Sequence, residues 1–142
     1  MKVATEILLP ASPEKVWAVL MDFPAYPEWN RFLKAVKGQP APDATLEVDL
    51  QFYGKDMKKV TGKVTALVAP KYFSWIWKHS FGSWFMSSEQ IFRLKEKDND
   101  RCVFFHEIFV TGLGLRFRRS DIEHMTKLSM NKLNDDLKDR LG

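Results

Sequence analysis

The sequence predicts an α+β fold: a curved antiparallel sheet of about seven strands wrapped on one long C-terminal helix, with two short helices after the first strand. Three observations carry the prediction. Apolar and polar residues alternate through much of the stretch from Leu46 to Thr111, as in strands half-buried against a core. Ile122, Met125, Ser129, Leu133, Leu137 and Leu141 instead recur at spacings of three and four, one stripe along a helix. Finally, helices segregated from a consecutive run of strands exclude the alternating order of a parallel sheet.

The elements follow in order. Residues 2–9 alternate and then turn apolar at Ile7, Leu8 and Leu9, a first strand that Pro10 to Pro13 stops. Ser12 suits an N-cap and Pro13 a first helical position, where the missing N–H would have had no partner anyway. Val16, Trp17, Val19 and Leu20 supply the apolar residues of a short helix. Pro24 and Pro27 make Phe23 to Asn30 a bent turn or a second short helix. Leu46, Val48, Leu50 and Phe52 alternate with Glu47, Asp49 and Gln51, Gly54-Lys55-Asp56 turns the chain, and Val60, Gly62, Val64 and Ala66 alternate with Lys59, Thr61, Lys63 and Thr65. Pro70-Lys71 leads into a strand from Tyr72 to His79, and a turn is expected over Ser80 to Ser83. Strands over 84–96 and 101–111 flank a polar loop, Lys97 to Asp100, and Gly112 and Gly114 end the sheet. Ser120 and Glu123 have capping-box spacing, which starts the regular helix near there. At ~1.5 Å per residue the helix to Leu141 spans roughly 30 Å, enough to cross a sheet. A rod laid across a curled sheet leaves part of the concave side unfilled, so a hollow is expected.

The 142 residues, 45% hydrophobic and 28% charged, fit one globular domain over 1–142. Aromatic residues are in surplus, with eleven Phe and five Trp. The net charge of +4 is spread among Asp and Glu rather than gathered in a stripe. It reads as solubility, not as a nucleic-acid footprint. Cys102 is the single cysteine, which excludes an internal disulfide and fits a reducing compartment. Glu6 stands where a signal peptide needs apolar residues, and no apolar run approaches the ~18 residues of a membrane span. A cytoplasmic protein is the expectation.

Ser12-Pro13-Glu14-Lys15-Val16-Trp17, followed by Asp22-Phe23-Pro24-Ala25-Tyr26-Pro27-Glu28-Trp29-Asn30, resembles the N-terminal signature of the START/Bet v 1-like (SRPBCC) superfamily, especially its polyketide cyclase/dehydratase-like branch. Phe105-His106-Glu107-Ile108-Phe109-Val110-Thr111-Gly112 resembles the last strand of that branch. The resemblance implies the helix-grip fold and a hydrophobic cavity between sheet and long helix. Its members carry lipids, bind hormones and pigments, cyclise polyketides or assist other proteins, so it transfers a ligand-binding fold rather than a reaction. Many relatives have a histidine before the phenylalanine of the penultimate strand. Here Gln90 precedes Ile91 and Phe92, which weakens any proposal built on paired histidines.

No phosphate loop, zinc-spaced Cys/His set or nucleophile elbow is present. His79, His106 and His124 lie on separate elements, so neither a metal site nor a cofactor is expected. His106 and Glu107 are the candidate catalytic pair, and only one can face the cavity, because adjacent strand residues point to opposite faces. Phe105 and Phe109 share Glu107's side while Phe104 and Ile108 share His106's, so the pattern leaves the choice open. We lean to Glu107 inside, as a polar anchor with a raised pKa; the alternative, given at least equal weight, is that it pairs with a nearby Lys or Arg or simply meets water. Trp75 and Trp77 share a face with Phe73 and His79 and line the cavity or core. Phe52, Met86, Gln90 and Phe92 extend that wall, Met125 and Ser129 add the helix side, and Trp29 closes the mouth. Arg116-Phe117-Arg118-Arg119 is a basic cluster that reads first as a solvated helix entry and second as a dock for anionic lipid or an acidic partner.

The leading expectation is a binding protein for a hydrophobic or aromatic small molecule, lipid or polyketide-like, with a homodimer as an option. A cyclase, aromatase or dehydratase using the same cavity is the second reading. A protein-interaction or chaperone-assisting module is the third.

Overall fold

The computed structural model describes residues 1–81 and 84–142. The chain runs β1 (Lys2–Leu9), α1 (Pro13–Met21), a 3-10 helix (Phe23–Glu28), β2 (Leu33–Lys37), β3 (Thr45–Leu50), β4 (Lys58–Val68), β5 (Tyr72–Phe81), β6 (Trp84–Asp98), β7 (Arg101–Gly112) and α2 (Gly114–Leu141). The strands form one seven-stranded sheet in the order β1-β7-β6-β5-β4-β3-β2. Every pairing is antiparallel. Successive strands are neighbours from β2 to β7, and β1 closes across β7. This is the helix-grip architecture expected from the sequence. The turn expected over Ser80 to Ser83 falls partly on residues 82–83, outside the described residues.

Local chemistry sets the boundaries. The Ser12 hydroxyl accepts from the Lys15 N–H at the start of α1, with Pro13 in the first turn. Asn30 ends the bent segment: its Oδ1 accepts the N–H groups of Phe32 and Leu33 at 3.0 and 2.8 Å, which launches β2. That strand is the seventh, and alternation did not reveal it. It is five residues long, with a register shift between Leu33 and Ala35, so its two buried residues, Leu33 and Val36, are out of step with a period of two. Phe52, expected to extend β3, lies beyond its end. Helix α2 begins at Gly114 rather than near Ser120. Arg118 breaks it, with φ −132° and ψ 30°, so the regular helix still starts close to the expected place.

The concave face is dense with large side chains. Trp75, Trp77, Phe73, Phe92, Phe104 and Ile108 are all fully buried beneath α2, α1 and the 3-10 helix. Gly62 of β4 is what lets Trp75 lie flat: a Cβ there would come within 2.6 Å of Trp75 Cε3 and 2.5 Å of the Ile76 carbonyl oxygen. Helix α2 supplies Ile122, Met125, Met130, Leu133 and Leu137 to the same core.

Candidate functional site

Along β7 the inward residues are Cys102, Phe104, His106, Ile108 and Val110, all at most 2% exposed. His106 therefore faces the interior and Glu107 does not, which corrects the expectation of an inward glutamate. Glu107 sits on the convex face, where Lys2 Nζ approaches Oε2 at 2.8 Å and Arg93 donates to Oε1 at 3.2 Å. The hydrogen bond from Lys2, aided by the positive charge of both neighbours, holds its pKa below the ordinary carboxylate value, so the expected raised pKa is also corrected. The aromatic neighbours that suggested burial are covered from outside by cations. The Arg93 guanidinium lies 4.6 Å from the Phe105 ring centre and Lys2 Nζ 5.7 Å from that of Phe109.

His106 joins a continuous chain of hydrogen bonds across five elements, buried from Trp75 to Asn134 and half-buried at Thr5. Trp75 Nε1 donates to Gln90 Oε1 at 2.7 Å, and Gln90 Nε2 donates to His106 Nε2 at 2.8 Å. His106 Nδ1 donates to Asn134 Oδ1 at 2.8 Å, and Asn134 Nδ2 donates to Thr5 Oγ1 at 2.9 Å. The Thr5 hydroxyl returns to the His106 carbonyl at 3.1 Å. Burial away from water lowers the His106 pKa to about 4, so the ring is neutral near pH 7. Both ring nitrogens are occupied, which leaves no free base for a substrate. The chain joins the sheet to α2 and ties down the middle of the bowl.

Beside Trp75 and Phe92 the described residues leave little space. Phe23, Tyr26, Leu33, Val36, Leu46, Val48, Phe73, Trp75 and Phe92 enclose only about 10 Å³, no more than one water needs. Phe92 stacks on Phe73 at 5.8 Å and meets His106 edge-on at 5.2 Å. In this part of the bowl Trp75 is bonded to Gln90, and Trp75 and Phe92 border the same small void.

The other candidate residues gather towards the end of the sheet where β3 and β5 finish. Trp77 is stacked on Trp75 at 4.3 Å and lies 6.0 Å from the His79 ring. His79 in turn is 6.1 Å from Phe52, pairs in register with Met86, and shares a 2.8 Å hydrogen bond with the Ser88 hydroxyl through Nε2. From α2, Ser129 Oγ accepts the Tyr53 N–H at 2.8 Å and donates to the Met125 carbonyl at 2.7 Å, which pins the β3–β4 connection to the helix. Burial, reinforced by Lys58, lowers the His79 pKa to about 4. It is half-buried, unlike His106. The Trp77 indole nitrogen is buried with no hydrogen-bond partner, as are Trp29 Nε1 and Asn30 Nδ2. Trp29 packs edge-on against Tyr26 at 5.1 Å, and Phe32 meets Phe52 at 5.2 Å.

The whole chain, residues 1–142, matches the model of the polyketide cyclase / dehydrase and lipid transport family. The chain belongs to that family. Solved structures share its fold at low identity. A START superfamily protein from Mycobacterium smegmatis superposes with a TM-score of 0.81 at 18% identity, over 99% of this chain and 96% of its own. A conserved protein from Geobacillus kaustophilus gives 0.79 at 16%, over 99% and 95%. The Zhui aromatase/cyclase from a Streptomyces species gives 0.71 at 18%, over 96% and 91%. No curated protein sequence matches this chain.

Within this member of the polyketide cyclase / dehydrase and lipid transport family, sequence reasoning missed Asn134, Thr5, Ser88 and the role of His79. Asn134 had a readable signal, since a polar residue beside Leu133 and Leu137 interrupts an apolar stripe and needs a partner when buried. Thr5 and Ser88 had none, because a hydroxyl fits either face of a strand. Among the described residues no three His, Cys, Asp or Glu side chains gather as metal ligands, and no helix is long and apolar enough to cross a membrane. His124 is exposed on α2.

Proposed function

We propose that this chain binds a hydrophobic or aromatic small molecule, lipid or polyketide-like, at the end of the bowl bounded by Phe52, Trp77, His79, Met86, Met125 and Ser129. The observation that carries the reading is the Trp77 indole N–H, buried at 1% exposure and without an acceptor. A donor left unmade in an apolar interior costs about 1–3 kcal/mol, so a guest that brings an oxygen to it gains what the empty protein lacks. An apolar body carrying a carbonyl group fits this wall of rings and methionines. The family description, which names polyketides and lipid transport, supports the same class of guest. Because the space beside Trp75 is filled, the guest enters from the Phe52–His79 end and displaces adaptable side chains there, of which Met86 and Met125 are the natural movers.

Catalysis of cyclase or dehydratase type is the second reading, and His79 now favours it over His106 or Glu107. Its ring is half-buried, held by the Ser88 hydroxyl and neutral near pH 7, so it can accept a proton, as a base that burial has weakened. Turnover that survives His79→Gln would remove this reading.

The deciding experiment is native mass spectrometry of the purified protein with analysis of its organic extract. The expected result is a copurifying apolar molecule carrying a carbonyl, together with quenching of tryptophan fluorescence when the probe 1-anilinonaphthalene-8-sulfonate is added. An empty protein whose fluorescence does not change with the probe would overturn the proposal. The same spectra, taken under native conditions, report whether the chain forms a homodimer.

A further inference from the structure

Strands β3, β5 and β7 all run towards one end of the sheet, which gathers the β3–β4 connection, the end of β5 with the start of β6, and the β7–α2 junction. Among the residues whose side-chain burial is described, nine large apolar side chains are exposed, and five of them lie at this end. They are Tyr53, Met57, Phe85, Leu113 and Phe117, at 48%, 53%, 86%, 61% and 66% exposure. The β6 and β7 tips are in contact, since a Cβ on Gly112 would come within 2.6 Å of the Phe85 carbonyl oxygen. Scattered exposed apolar residues need no explanation, but a cluster on adjoining tips marks an interaction surface.

The charge around these tips is predominantly positive. Residues 51–58 and 113–121 carry Lys55, Lys58, Arg116, Arg118 and Arg119 against Asp56 and Asp121, and Arg118 pairs with Asp121 at 2.8 Å. We infer that this end of the molecule docks on an anionic lipid surface, with Phe85, Leu113 and Phe117 dipping into the headgroup layer and Arg116 and Arg119 held by lipid phosphates. The arrangement favours a membrane over a protein partner. The apolar residues sit on separate tips rather than lining a groove, and a fluid surface accepts separate tips without complementary shape. The break at Arg118 sets the turn from Gly114 to Phe117 apart from the rest of α2. The docking end is also the end through which the proposed guest enters, but the lipid contact does not depend on that guest.

The test is co-sedimentation of the full chain with vesicles of phosphatidylcholine alone and of phosphatidylcholine mixed with phosphatidylglycerol. Binding is expected to the mixed vesicles and to fall with added salt. Arg116→Gln with Arg119→Gln should weaken it about 25-fold, from about fivefold per basic residue at such a surface. Phe85→Ser with Leu113→Ser should weaken it several-fold at every salt concentration, with the circular dichroism spectrum unchanged. Lys95→Gln with Lys97→Gln, at the opposite end of the sheet, removes the same charge and should leave binding within about twofold. No binding to the mixed vesicles, or an equal loss from the Lys95/Lys97 pair, would overturn the inference.

Discussion

The indole N–H of Trp75 points at Gln90 Oε1 from 2.7 Å, and this one contact settles the hydrogens of the whole interior chain. Indole nitrogen can only donate, so the amide oxygen of Gln90 must face it and the amide nitrogen must face His106. His106 Nε2 is then the acceptor, and its proton lies on Nδ1, against Asn134 Oδ1 at 2.8 Å. Long-range proton–nitrogen NMR at pH 7 should show a single neutral tautomer of His106 protonated at Nδ1. A proton on Nε2 would contradict the assignment.

Gln90→Leu tests what the chain contributes to stability. The substitution leaves the Trp75 N–H and His106 Nε2 without partners in the interior, at about 1–3 kcal/mol for each group. The urea midpoint should fall accordingly while the m-value holds. Gln90→Glu keeps an acceptor for Trp75 but sets a carboxyl group against His106 Nε2. It should raise the His106 pKa from about 4, a change that NMR titration reads directly.

The two depressed histidines fix the acid limb of the stability curve. His79 and His106 both titrate near 4 when folded, against 6.5 ordinarily. Between those values the unfolded chain binds more protons than the folded one, so stability falls as pH drops from about 6.5 to 4. Each fully shifted histidine contributes at most ~1.4 kcal/mol per pH unit in that window. His106 contributes the steeper part, because His79 is partly hydrated. Glu107, whose folded pKa is lowered, adds a further loss only as pH falls below its ordinary 4.5. Urea melts across this range should show the slope, and a flat profile between pH 6.5 and 4 would refute the neutral burial of His106.

How far the sequence could be read follows from which signals survive burial on one side. The alternating β3 and β4 and the stripe on α2 were legible because solvent supplies a contrast on their far faces. Strand β2 was not, because its bulge breaks the period. The orientation of β7 was not either. Phe105 and Phe109 look buried in sequence, yet Arg93 and Lys2 lie over them from outside. A cation shielding a ring from across the sheet depends on the pairing of β7 with β6 and β1, which periodicity along one strand does not contain. The aromatic wall was found and the histidine chain was not, because the partners of His106 lie on β6 and α2.

Gly62→Ala should destabilise the protein although alanine has better strand propensity than glycine. The added carbon would meet the Trp75 ring at 2.6 Å and the Ile76 carbonyl oxygen at 2.5 Å, and the second of these is backbone that cannot rotate away. Overpacking of this kind costs about 1–3 kcal/mol. The tilt of Trp75 away from Gln90 should appear as well, as a shift in its indole N–H resonance. Unchanged stability would show that the sheet yields there.

Trp75 and Trp77 stack on each other at 4.3 Å, yet their indole nitrogens stand in opposite situations, one bonded to Gln90 and one without a partner. Replacing each in turn by β-(3-benzothienyl)alanine, which substitutes sulfur for N–H at nearly constant shape, separates the two. At Trp75 the loss of the donor leaves Gln90 Oε1 bare, and stability should fall by about 1–3 kcal/mol. At Trp77 nothing is lost, and the empty protein should be as stable as before or gain up to about 1 kcal/mol. If the Trp77 donor serves a guest, that variant should then bind the copurified molecule more weakly than the parent does, while still quenching with an apolar probe that carries no acceptor. Equal destabilisation at both positions would show that the Trp77 N–H has a partner inside the protein, and with it the reason for a carbonyl on the guest would go.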